Sequence, residues 1–182
     1  MEKNKIEKSE KKELLSGIKN LTAGQQAALK REAGKCLHNA STSALQAFYI
    51  ALPKLDESEI KKQQQIFVVM CLMCLWRQED RDRTKAKPFP ECLKVLRKNN
   101  KSMDTRVRGL LDTPWDYDDD YFILKLYRLT KQIRNSSKEL YPDFEQLLDD
   151  LIKWNNRNRS VQRKWMEQYL LTNKNIDEDI DE

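Results

Sequence analysis

Glycine and proline are scarce in this chain, four and five of 182 residues. Few points therefore interrupt a helix, and the abundance of Leu, Lys, Gln and Glu favours one. Strict apolar–polar alternation is missing as well, which predicts no sheet. The longest apolar run, Ile66 to Trp76, is eleven residues, whereas a membrane span needs about 20. Residues 1–13 contain no apolar stretch of the kind a secretory signal uses. A soluble, cytoplasmic protein is expected, and its four cysteines are read as thiols. Histidine occurs once, at His38, with no recognisable nucleophile motif nearby. No Walker loop, GxGxxG or GxSxG occurs, so no enzymatic activity is expected.

What is present is charge. Lys, Arg, Asp and Glu make up 35% of the residues, well above the usual quarter. The whole chain is +5, the first twelve residues are +2 and the last seven are −5, so the body between them carries +8. A basic body fits a nucleic acid or another acidic partner. A well-solvated, lysine-rich surface explains the same number.

Apolar spacing places the helices. Residues 4–20 form a Lys/Glu-rich amphipathic stretch. Thr22 is placed to cap a helix over 23–34, and 42–51 forms a short apolar helix ended by Pro53. Ser58 is placed to cap the longest helix, 59–77, which is apolar nearly all round from Ile66. A charged loop follows at 78–88. Pro90 fits the first turn of the next helix, and 104–111 and 117–135 follow. In the last quarter Phe144, Leu147, Leu148, Leu151 and Ile152 share one helical face, and Val161, Trp165 and Tyr169 share another. The fold expected is all-α, about eight helices in two small bundles. The first covers 1–98 with a basic extension over 1–12, and the second covers 102–175. An acidic tail, 176–182, is expected to be disordered.

Three constellations resemble sites. Cys71 and Cys74 form a single CxxC without the second ligand pair a structural zinc needs, and they lie in the most apolar helix. They are read as core. The acidic run Asp116, Asp118, Asp119 and Asp120 stands at an expected helix N-terminus, where carboxylates are favoured without any metal. No metal and no cofactor are expected. The basic residues are more informative. Lys125, Arg128 and Lys131 recur every third position on one helix, and matching of charge to the helix dipole reaches only its last turn. Arg106 and Arg108 precede them. Arg31, Lys61 and Lys62 lie in the first half, and Arg157, Arg159 and Arg163 surround the terminal turn. These eleven positions are the candidate nucleic-acid contacts. No aromatic platform for base stacking is evident, so contacts are expected to be with phosphates.

Three blocks carry a resemblance. They are AALKREAGKCLHNASTSALQAFYIALP (27–53), TRVRGLLDTPWDYDDDYFILKLYRLTKQI (105–133) and DFEQLLDDLIKWNNRNRSVQRKWMEQYL (143–170). In order, spacing and total length they resemble the small subunit of the type I-E CRISPR surveillance complex Cascade, the CasB family. Lys30 departs from that pattern, which more usually has Arg there. The N-terminal extension, the CxxC and the acidic tail lie outside it. The resemblance implies a non-enzymatic helical protein. Two copies would sit beside the large and backbone subunits and hold guide RNA and target or displaced DNA, away from any membrane. It assigns the nucleic-acid role to Arg31, Arg106, Arg128 and the Arg157/Arg159 segment. Two rival readings follow from the residues alone. One is a helical scaffold or adaptor that binds acidic protein partners. The other is a helix-turn-helix regulator, for which 158–171 is the only candidate recognition helix.

Overall fold

The computed structural model describes residues 15–52, 62–83, 85–98, 100–137 and 139–171. The expected helix start at 4–14, the Ser58 cap, Lys61 and the acidic tail lie outside these residues. Nine α-helices occur among them: α1 (Ala23–Arg31), α2 (Thr42–Ala51), α3 (Gln63–Met73), α4 (Gln78–Arg83), α5 (Phe89–Arg97), α6 (Met103–Leu111), α7 (Tyr121–Ser136), α8 (Phe144–Ile152) and α9 (Ser160–Leu170). None is long and apolar enough to cross a membrane. The fold is all-α, as the composition implies.

Local chemistry explains most boundaries. At α1 the Thr22 side chain accepts from the Gln25 amide (3.3 Å), and the Gln25 side chain accepts from the Thr22 amide (2.9 Å). This reciprocal box satisfies two otherwise orphaned donors. Asp143 caps α8 by accepting from the Gln146 amide at 2.9 Å. Pro90 sits in the first turn of α5, where a missing amide costs nothing.

Four expectations are corrected. The segment 78–88, expected as loop, contains α4 and a two-residue strand, β1 (Ala86–Lys87). β1 pairs in parallel with β2 (Tyr141–Pro142), although no sheet was expected. Two residues are too few to leave an alternating pattern in a sequence. The long helix expected over 59–77 is described only from Gln63, and it ends at Met73. The chain turns there and brings Trp76 into the core, its indole donating to the Leu140 carbonyl at 3.1 Å. The helix expected from 117 starts at Tyr121, because Asp116 and Asp119 accept from the amides of Asp118 and Tyr121 in a preceding turn.

Buried apolar residues form one cluster from Leu15 to Tyr169. α3, buried from Gln65 to Leu72, packs against α1, α7 and α8, while α5 packs against α6, α7 and α9. Aromatic rings run through the second half of the core. Trp115 stacks on Phe122 (5.1 Å between centroids), Phe122 meets Trp154 (4.8 Å), Trp154 meets Trp165 edge-on (5.2 Å), and Trp165 stacks on Phe89 (5.1 Å).

Asp150 fastens the terminal pair. Its carboxylate is buried and accepts from the Trp165 indole (2.7 Å) and from Lys164 (3.3 Å). Asp150→Ala leaves the indole N–H without an acceptor, which costs about 2–3 kcal/mol. Urea unfolding should show that loss, and Asp150→Asn, which keeps an acceptor oxygen, should recover most of it.

A second polar tie holds the segment between α1 and α2. Asp120 accepts from the Cys36 amide and the Asn39 side chain, and Glu32 pairs with Lys35 at 2.8 Å. Burial pushes both carboxyls up. Contacts with Lys35 and Ser41 at Glu32, and with Cys36 and Asn39 at Asp120, outweigh it and hold both below their ordinary values of 4.5 and 3.8. A carboxylate depressed in the folded state adds stability above its unfolded pKa, and that stability is lost as pH falls through the folded value. Thermal midpoints should therefore drop as pH is lowered below about 5, and Asp120→Asn should flatten the drop.

Candidate nucleic-acid interface

α6 and α7 are amphipathic and pack side by side. α6 buries Met103, Val107, Leu110 and Leu111, which leaves Thr105, Arg106 and Arg108 on its outer side. α7 buries Phe122, Ile123, Leu126, Leu129, Thr130 and Ile133, which leaves Arg128 and Lys131 exposed. The outer sides enclose a groove of about 570 Å³, lined by Arg106 from α6 and by Lys125, Arg128 and Lys131 from α7, with Thr105, Gly109, Gln132 and Asn135 between them. Lys131 and Asn135 also line an adjoining depression with Lys30, Tyr127 and Arg134. A basic band thus runs from α6 across α7 to the end of α1.

The cations of this band differ in their ties. Arg106 and Arg128 are exposed and make no side-chain hydrogen bond or ion pair among the described residues. The Lys131 ammonium lies 5.9 Å from the Tyr127 ring centre, a contact that leaves its hydrogen-bond donors open. Arg134 is held by Asp80 at 3.2 Å and by the Leu75 carbonyl. Lys125 is also held. Its ammonium donates to the Gly109 carbonyl (3.0 Å) and the Thr113 hydroxyl (2.8 Å), and it sits 4.2 Å from the Tyr121 ring centre. It closes the C-terminal end of α6, where a cation is favoured.

The other candidates lie apart. Arg159 adopts a left-handed backbone (φ 50°), and its guanidinium donates to the Leu111 carbonyl (3.0 Å) and Asp112 (3.1 Å). Arg108 donates to the Asp104 carbonyl at 3.4 Å. Arg157 and Arg163 are exposed around the α8–α9 turn, Arg31 is exposed at the end of α1, and Lys62 is half-buried before α3. None of these lines the groove. Thr105, Gly109, Gln132 and Asn135 were missed by reading charge alone. Only Gly109, a glycine inside a helix, left a signal in the sequence.

All four cysteines are buried. Burial pushes the Cys36 and Cys92 thiols up to about 12 and Cys71 well above its ordinary value, so they are poor nucleophiles. Tyr169 donates to Asp104 at 2.6 Å. Its phenol is raised by burial first and by that carboxylate second. Trp165 and Tyr169 are each 1% exposed, so α9 offers no free recognition stripe on that side.

The sequence profile of the CRISPR-associated protein Cse2 family matches residues 25–170. No curated protein matches the chain by sequence. Among solved structures, a CRISPR-associated protein of the Cse2 family from Thermus thermophilus is 21% identical with a TM-score of 0.68. The match covers 87% of this chain and 96% of that one. A chain of a CRISPR RNA-guided surveillance complex is 20% identical with a TM-score of 0.66, covering 90% of this chain and 91% of that one. CasB from Thermobifida fusca is 18% identical with a TM-score of 0.59, covering 91% and 96%. These likenesses establish a shared fold.

Proposed function

Because the chain belongs to the CRISPR-associated protein Cse2 family, we propose that it is a non-enzymatic nucleic-acid-binding subunit of a CRISPR RNA-guided surveillance complex. It stabilises the R-loop through sequence-independent phosphate contacts. The observation that carries this reading is the α6–α7 groove, where Arg106, Arg128 and Lys131 face outward with hydrogen-bond donors unused by the protein. Guanidinium groups suit phosphate because they can donate two parallel hydrogen bonds. Exchanging a DNA duplex for a guide–target duplex is near-balanced, so modest phosphate binding to an opened strand shifts the equilibrium.

The partners proposed are the large and backbone subunits, a second copy of this chain, guide RNA, and target or displaced DNA. The location is cytoplasmic. The halves 1–98 and 102–175 are proposed as two bundles with 98–102 as their joint. Docking of α5 on α9 and of α8 on α3 lets them share one core. The first test is co-expression with the other effector subunits. The chain should co-purify with them and with a short guide RNA. Separation from both, together with capture on acidic proteins and no affinity for DNA or RNA at low salt, would favour an adaptor.

A further inference from the structure

The segment 176–182, IDEDIDE, carries five carboxylates in seven residues, and the phosphate reading gives them no role. The fold places the point from which this segment departs. α9 ends at Leu170, and Leu171 after it is the last of the described residues. The Leu171 carbonyl accepts from the Lys94 ammonium on α5. Two residues earlier, the Tyr169 hydroxyl donates to Asp104 at 2.6 Å, and Asp104 stands in the first turn of α6. The next two residues of α6, Thr105 and Arg106, line the basic groove. The chain therefore leaves α9 beside the end of the groove that Arg106 occupies.

Reach and charge both match. An extended chain spans at most ~3.3–3.6 Å per residue, so Asp177 lies within about 20 Å of Leu171 and Glu182 within about 40 Å. A helix advances about 1.5 Å per residue, so the α6 wall from Asp104 to Gly109 is only about 8 Å long and the α7 wall from Lys125 to Asn135 about 15 Å. The spacer 172–176 holds a single charge, Lys174. In the groove, Arg106 and Arg128 have no side-chain partner among the described residues, and the Lys131 ammonium meets only the Tyr127 ring. No acidic residue among those described lines the groove to balance them. Three cations without a counter-ion thus lie within reach of five tethered carboxylates.

We infer that residues 176–182 occupy the α6–α7 groove of their own chain in the free protein and compete there with nucleic acid, carboxylates standing where phosphates would. The inference rests on the phosphate reading above, whose groove it regulates. Guanidinium groups take carboxylate and phosphate alike. The tether makes the contact intramolecular, at an effective concentration in the millimolar range. Apparent affinity for nucleic acid then falls with the fraction of chains whose groove is open. A segment that fills the groove in two-thirds to nine-tenths of the chains lowers that affinity about 3–10-fold. The basic band continues past the groove to Lys30, so a strand long enough to cover the whole band displaces the segment.

The test compares the full chain with a variant of equal length carrying Asp177→Asn, Glu178→Gln, Asp179→Asn, Asp181→Asn and Glu182→Gln. Binding of labelled single-stranded DNA is measured at about 0.1 M salt, where charges more than about 10 Å apart are largely screened. Neutralisation should tighten binding about 3–10-fold. It should also steepen the slope of log affinity against log salt, because cations that the segment already neutralises release no counterions. The same five changes are made in the Arg106→Glu, Arg128→Glu background, where they should alter affinity less than about twofold. Equal tightening in both backgrounds would show a general charge effect and overturn the inference. Carbodiimide coupling of the free chain should join a carboxylate of 177–182 to Lys131 within monomers. Coupling only to lysines outside the groove, or only between copies, would overturn it as well. Equal binding by the two chains with a normal salt slope would overturn this inference alone. An absence of salt-dependent binding by either chain would remove the phosphate reading with it.

Discussion

Trp154→Ala is expected to destabilise the fold by about 3–5 kcal/mol, the range for removing a large buried aromatic. The residue is 1% exposed and sits between Phe122 and Trp165 in the ring series. Its indole donates to the Thr113 carbonyl at 3.0 Å, and its own carbonyl accepts from Gln162 at 2.7 Å. One substitution therefore opens a cavity, strips Thr113 of its donor and loosens the turn that carries Arg159. A typical domain has only about 5–15 kcal/mol of stability. Denaturant unfolding should show the loss, with basic-groove binding declining only as the folded fraction falls. Trp154→Phe should retain most of the packing and lose the Thr113 bond.

Reversing Arg106 and Arg128 together should have the largest effect on binding. Each charge-assisted hydrogen bond is worth about 1.5–3 kcal/mol, so the double reversal to Glu should weaken nucleic-acid binding on the order of 100-fold or more. The weakening should be similar across sequences. The slope of log affinity against log salt should shrink by about one for each phosphate no longer engaged. Both side chains are exposed and unpartnered among the described residues, so stability should change by no more than about 0.5 kcal/mol. Unchanged melting with changed binding separates this result from that of Trp154→Ala.

Much of the architecture is legible in the chain because helices announce themselves by spacing. The pattern of Phe144, Leu147, Leu148 and Leu151 is the face that α8 buries, and Thr22 begins α1 with the partner its position implies. Elements of two residues carry no period, which hides β1 and β2. α4 hides for a related reason. Its sequence, QEDRDR, has no apolar face to register. At the candidate interface, charge identifies which residues could meet an anion, but not which of them the protein already occupies. Lys125 and Arg159 resemble Arg106 and Arg128 in sequence. In the fold they hold Gly109 and Leu111, two carbonyls in the last turn of α6 that lack an intrahelical donor. Partners distant in sequence decide such matters, 16 residues away for Lys125 and 48 for Arg159.

The most direct measurement is the reactivity of the displaced DNA strand toward a single-strand probe in the assembled complex. Complexes carrying the unaltered chain should be compared with those carrying Arg106→Glu and Arg128→Glu. The phosphate-groove account predicts a long-lived, partly protected displaced strand with the unaltered chain. With the double reversal it predicts faster re-pairing and lost protection, although the subunit still folds and assembles. Equal R-loop lifetime and equal protection in the two complexes would contradict it.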